Sequence, residues 1–169
     1  AHRAHLSQTR EGKAPLPYLH HPLEVAWLLA HLGGVSDCEE IASALLHDTV
    51  EEANVSLEKI EEEFGSRVCS LVRELTRSEP LAEVTSALSK KDLYDLRTKL
   101  LLQGINEMSP TAQRIKLADR LSNWRHAQKV RTPKRLERYR IQTKSILAAI
   151  PRSVSPPLWD TLKAECSDA

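Results

Sequence analysis

Residues 44–53 read ALLHDTVEEA, and the fold and chemistry of the chain both turn on this stretch. Its first residues suit a helix interior, yet His47, Asp48, Glu51 and Glu52 crowd into the next turn. Like charges in adjacent helical turns cost roughly a few tenths of a kcal/mol each. On a continuous helix His47 and Glu51 stand one turn apart, as do Asp48 and Glu52, so all four project over one broad side. Such a cluster asks for a cation. Imidazole combined with carboxylate suits Mn²⁺, Fe²⁺ or Zn²⁺ better than Ca²⁺, which prefers oxygen donors alone.

Outward from this stretch the punctuation is helical. Pro22, Pro110, Pro133 and Pro156 each mark a first turn, where the missing N–H costs nothing, and Ser109, Thr132 and Ser155 precede three of them as caps. Ser36 and Glu39 have capping-box spacing, while Gly33-Gly34 and Gly65 read as corners. Apolar residues recur at helical spacing, as in Val25, Leu28, Leu29 and Leu32, and no window alternates as a strand would. The expected helices cover 1–10, 22–33, 37–52, 56–63, 65–77, 86–104, 110–128, 133–149 and 156–165. Loops are expected at Arg10–Tyr18 and Arg77–Val84. With 169 residues and no dividing linker, the chain reads as one all-α domain over 1–169.

Composition excludes several functions. Net charge is +1, which argues against a nucleic-acid binder even though KVRTPKRLERYR (129–140) is basic. No apolar run approaches the roughly 20 residues that span a bilayer, and no signal peptide is read at the start. Cys38, Cys69 and Cys166 are odd in number and lack CxxC spacing, so they read as thiols of a reducing compartment. The expectation is a cytoplasmic protein with no membrane or nucleic-acid partner; the sequence leaves oligomeric state open.

Two ligands do not close a metal site. The segment YLHHPLEVA offers His20 and His21 before a helix, and IKLADRLSNWR offers Asp119 on an apolar stripe with Asn123 one turn on. Each feature has an ordinary reading too. An isolated HD pair is weak, tandem histidines before proline can be a loop and cap, and Asp119 can pair on the surface with Arg120 or Arg125. Their conjunction in the order H…HD…D is what points to a metal.

The runs AHLSQTREGKAPLPYLHHPLEVAWLLAHLG, ASALLHDTVEE, FGSRVCSLVRELTR and IKLADRLSNWR, in order over about 1–150, closely resemble the HD-domain hydrolases of the SpoT/Rel type, in extent the stand-alone small alarmone hydrolases. That resemblance implies an HD-domain helical bundle holding one Mn²⁺ and removing the 3′-pyrophosphate from (p)ppGpp. Position by position it places the metal ligands on His21, His47, Asp48 and Asp119, and the catalytic acids on Glu51 and Glu52, where the family usually writes Glu-Asp. It places nucleotide contacts on Arg3, Asn123 and Arg140, with Ala4 and Lys144 departing from the pattern. Arg97, Lys99, Arg140 and Lys144 are candidates for a positive mouth. Two other readings stay open: an HD phosphohydrolase for another nucleotide, such as an adenosine alarmone, and a catalytically silent alarmone-binding module.

Overall fold

The computed structural model describes residues 1–12, 15–77 and 82–167, and helices dominate them. In chain order they are α1 (His20–His31), α2 (Cys38–Leu46), α3 (Thr49–Ala53), α4 (Leu57–Phe64), α5 (Ser66–Leu75), α6 (Ala82–Ala87), α7 (Lys90–Glu107), α8 (Pro110–Val130), α9 (Pro133–Ala149) and α10 (Pro156–Ser167). A 3₁₀ turn at Arg152–Val154 precedes α10. Among the described residues the extended pairing is confined to one isolated bridge, Thr9 with Pro17, so the all-α expectation holds.

The helix starts follow local chemistry. Ser56, Ser89 and Ser109 each accept a backbone N–H at the start of α4, α7 and α8. At α2 the cap is Asp37, accepting from Glu39 and Glu40, and not Ser36 as the capping-box spacing had suggested. The same aspartate also accepts from Arg67 at 2.6 Å. Gly65 joins α4 to α5 at φ 88°, a conformation that a Cβ would strain. At Gly33 a Cβ would come within 2.6 Å of the Leu29 carbonyl, which explains the corner after α1.

α8 is the spine. It packs against α1, α2, α5, α9 and α10, and Ile115, Leu117, Ala118, Leu121 and Trp124 have no exposed surface. Each buried Leu or Ile contributes about 1.5–3 kcal/mol relative to exposure. Because α8 is enclosed on all sides, its polar residues are enclosed too: Lys116, Asp119, Arg120 and Ser122 are all buried. Arg120 is satisfied by Thr143, Gln142 and the Tyr139 carbonyl of α9. The surface pairing of Asp119 with Arg120 or Arg125 does not form, since Arg125 binds Glu165 of α10.

Four expected stretches differ, one being the helix over 86–104, which is divided between α6 and α7. Residues 1–10 form turns, not a helix, because His5 is the one buried side chain there and Leu6 is 71% exposed, leaving no apolar face to bury. The expected helix over 37–52 breaks at His47-Asp48, where Asp48 adopts φ −96°, ψ −4°. Residues 78–81 of the expected irregular stretch Arg77–Val84 lie outside the described residues, but its end already belongs to α6. All three cysteines are free thiols, Cys69 and Cys166 buried and Cys38 exposed.

Candidate metal centre

The break between α2 and α3 shapes the site. Asp48 precedes α3 without spending its carboxylate on a cap, and its near-zero ψ lies in the bridge region common among active-site residues. Thr49 Oγ1 donates to the Leu46 carbonyl at 2.7 Å and closes the gap. Once the helix is broken, His47 and Asp48 turn together toward α1 and α8.

Four side chains converge there. His21 Nε2 lies 3.4 Å from Asp48 Oδ2 and 3.2 Å from Asp119 Oδ1. His47 Nε2 lies 3.1 Å from Asp48 Oδ1 and 3.7 Å from Asp119 Oδ1. His21, His47 and Asp48 each offer a ligand atom within 4.8 Å of the other two. Asp119 reaches both imidazoles but is drawn toward its own helix by Lys116 Nζ, 2.9 Å from Oδ2, and Asn123 Nδ2, which donates to Oδ1 at 2.6 Å.

Both rings are oriented from behind. The Nδ1 of His47 faces the Ala44 carbonyl at 2.8 Å, which can only accept, so Nδ1 carries a proton and Nε2 is the nitrogen turned toward the site. Behind His21, Ser122 donates to Glu24 at 2.7 Å, so its oxygen is left to accept from His21 Nδ1 at 3.0 Å. This is the outer support that metal-binding imidazoles ordinarily have. His47 Nε2 is buried with carboxylate oxygens nearby, yet none is aligned as a hydrogen-bond partner. An orphaned buried nitrogen, aimed with a second imidazole at two carboxylates, fits a divalent cation.

The electrostatics agree. Burial alone would push the His47 pKa down, but Asp48 and Asp119 outweigh it and raise it to about 10. Burial likewise opposes ionisation of the two aspartates, and it is overcome at Asp48 by His47 and His21 and at Asp119 by Lys116 and the histidines, so both sit well below the usual carboxylate range. Without a cation, a proton supplies the positive charge the carboxylates require.

A cavity of about 750 Å³ opens beside this centre, lined in part by Asp48, Glu51, Glu52, Lys116, Asp119 and Asn123. Glu51 is held by Arg77, which donates from Nε at 2.9 Å and from its backbone N–H. Glu52 is exposed on the cavity wall, and its carbonyl accepts from Gln8. Arg97 also lines the cavity, whereas Lys99 and Lys144 do not.

Two expected nucleotide contacts fall elsewhere. Arg3 is exposed on the N-terminal turns and lines no part of the cavity. Arg140 of α9 lines no part of the cavity either, and its Nε is 3.5 Å from Glu137. Residues that sequence reasoning passed over hold the site residues in place. Arg10 Nη2 donates to Asn123 Oδ1 at 2.8 Å, Tyr18 Oη donates to Asp48 Oδ2 at 2.6 Å, and Lys116 and Arg77 brace Asp119 and Glu51. Burial first, and Asp48 second, push the Tyr18 pKa upward, so the phenol stays a donor. Tyr18 was signalled by standing three residues before His21, and Lys116 by standing one turn before Asp119.

Comparison with known proteins follows the same lines. The HD domain family matches residues 1–152. The human guanosine-3′,5′-bis(diphosphate) 3′-pyrophosphohydrolase MESH1 is 34% identical over 142 residues, covering 84% of this chain and 73% of its own length. The Xenopus tropicalis protein of the same name is 36% identical over 138 residues, 82% of this chain and 70% of the relative. A solved structure described as a metazoan ortholog of SpoT that hydrolyzes ppGpp superposes with a TM-score of 0.84 at 29% identity, covering 99% of this chain and 89% of that one.

Proposed function

Since the chain belongs to the HD-domain family, and within it to the MESH1-like pyrophosphohydrolases, we propose that it hydrolyses (p)ppGpp at the 3′-pyrophosphate, giving GDP or GTP and pyrophosphate. The observation that carries this reading is the convergence of His21, His47, Asp48 and Asp119 beside a cavity walled by Glu51 and Glu52. A cavity of about 750 Å³ lies within the roughly 300–1,000 Å³ typical of small-molecule sites.

Those four residues would hold one divalent cation, Mn²⁺ by family resemblance, with Fe²⁺ or Zn²⁺ compatible with the same donors. Such a cation supplies Lewis-acid chemistry, acidifying water and withdrawing charge from a phosphoryl oxygen. The chain's own residues do the rest. Glu51, its Oε2 held by the Arg77 guanidinium, keeps a lone pair on Oε1 and accepts the proton of the attacking water. Such general-base help is worth about 10²–10⁴-fold. Glu52 orients that water or a sugar hydroxyl from the cavity wall. Water adds to the phosphorus bonded to the 3′ oxygen, the P–O3′ bond breaks and pyrophosphate departs, and the nucleoside 3′ oxygen takes up the proton that Glu51 accepted.

Asn123, braced between Asp119 and Arg10, offers the nucleotide an amide in a fixed orientation. The whole chain acts as one HD domain on a small nucleotide, without nucleic acid. Among the described residues no helix is long and apolar enough to cross a membrane, and the free thiols fit a reducing, cytoplasmic setting.

Pyrophosphate release from ppGpp is the direct test, with Mn²⁺ against a chelator control. Glu51→Gln should retain metal and nucleotide while losing about 10²-fold or more in turnover. Equal turnover would remove Glu51 from the mechanism, and metal-independent release would remove the centre. A silent alarmone-binding module would bind without any release.

A further inference from the structure

Next to the reaction cavity lies a second, smaller recess of about 380 Å³. Its walls come from the start of α7, the α8–α9 turn and the first turns of α9. Among the described residues five cations line it, Lys90, Arg97, Arg131, Arg135 and Arg138, against the one acid Glu11. Tyr94, Arg97, Arg131 and Tyr139 line both spaces, so the two are continuous. A protein of net charge +1 has therefore gathered a local excess of positive charge beside its reaction centre.

The way these cations are held matters as much as their number. Arg131 lies over the Tyr139 ring at 4.0 Å, and Arg138 lies over the Tyr94 ring at 4.2 Å. Tyr94 Oη in turn donates to the Arg138 carbonyl at 3.0 Å, tying α7 to α9. Stacking uses the flat face of a guanidinium and leaves its in-plane N–H fork open. An open fork on a fixed plane matches phosphate oxygens two at a time. Arginines outnumber every other lining residue type, which suits a chain of phosphates better than a purine or a sugar.

The geometry points to this recess as the subsite for the 5′-phosphate chain of the substrate, the end that is not cleaved, and as the determinant of a preference for a 5′-triphosphate over a 5′-diphosphate. This rests on the hydrolase reading above for the identity of the substrate. With the 3′-pyrophosphate at the His21–Asp119 centre, the far end of the nucleotide can extend past Arg97 and Arg131 into the recess. Each added phosphate then meets additional guanidinium donors.

The test compares the wild type with an Arg135→Gln/Arg138→Gln double variant on guanosine 3′-diphosphates bearing one, two or three 5′-phosphates. In the wild type kcat/KM should rise with 5′ chain length. In the variant KM for the 5′-triphosphate substrate should rise about tenfold and for the 5′-diphosphate about threefold, while kcat stays within about twofold, so the preference shrinks. An equal KM increase on all three substrates, or none, overturns the subsite. A second arm titrates metal-free protein with inorganic tripolyphosphate, which should bind the variant about tenfold more weakly than the wild type. Equal binding overturns the proposal. If the wild type hydrolyses none of the three nucleotides, the catalytic reading fails while the tripolyphosphate titration still decides the recess. Tripolyphosphate that binds without competing with the 5′-triphosphate substrate assigns the recess to a free polyphosphate and refutes its role in the substrate subsite.

Discussion

Replacing Tyr18 with phenylalanine removes one atom and one hydrogen bond, that from Oη to Asp48 Oδ2 at 2.6 Å. The ring remains, so its contacts with His5 at 4.8 Å and His21 at 5.9 Å between centroids are kept. What is lost is the support of a carboxylate that would bind metal through its other oxygen. Hydrogen bonds to charged groups are worth about 1.5–3 kcal/mol, which corresponds to roughly 10–150-fold in an equilibrium constant. The typical effect of removing such a support on metal affinity is about 10–100-fold. The expected result is Mn²⁺ affinity weaker by that factor in a calorimetric titration of metal-free protein, whose folding stability should fall by about 1.5–3 kcal/mol. Saturating Mn²⁺ should restore most of the turnover. An affinity within twofold of the wild type would refute the idea that Tyr18 aims Asp48.

Other outcomes follow from the same geometry. The pKa of His47 is raised to about 10 in the metal-free protein, so below that pH a cation must displace its proton. Mn²⁺ affinity should therefore climb about tenfold per pH unit from 6.5 to 8.5, read by competition with a buffered chelator, and activity should collapse toward pH 5; flat behaviour would remove the imidazoles from the centre. The stability that this proton lends the metal-free fold is fully present below about 6.5 and should fade as pH rises toward 10, checked by thermal unfolding in chelator. Lys116→Met leaves Asp119 without its buried ammonium, a loss of about 3–5 kcal/mol in chelator that added Mn²⁺ should partly restore; an equal loss with and without metal would show that Lys116 plays no electrostatic part. Leu121→Ala, at a site with no exposed surface, should cost about 2–5 kcal/mol in denaturant unfolding, and a cost below about 1 kcal/mol would mean α8 is not the core.

The linear pattern carried much of this. The helices from α4 onward largely follow the apolar spacing and the Ser-Pro and Gly marks, and the H…HD…D order picks out four side chains that the fold brings within a few ångströms. The break at His47-Asp48 was not legible, because no proline or glycine marks it and the partners that His47 and Asp48 meet lie on α1 and α8. The N-terminal turns were missed because charged and polar residues at helical spacing say nothing without a face to bury. Arg3 was named through the family resemblance alone, and nothing local marks Arg10, whose partner Asn123 stands 113 residues away. Arg77 and Glu51 are 26 residues apart and meet only after α5 has packed.

The enclosure of α8 has a consequence for how this protein can change. Asp119, Lys116 and Asn123 ride on the helix whose other residues fill the interior, so any repacking there also shifts a prospective ligand. New substrate preferences are therefore far easier to acquire at the periphery, through the loop bearing Arg10 and Tyr18 and the first turns of α9, than along the central rod. Heat that loosens the rod should release the metal in the same step.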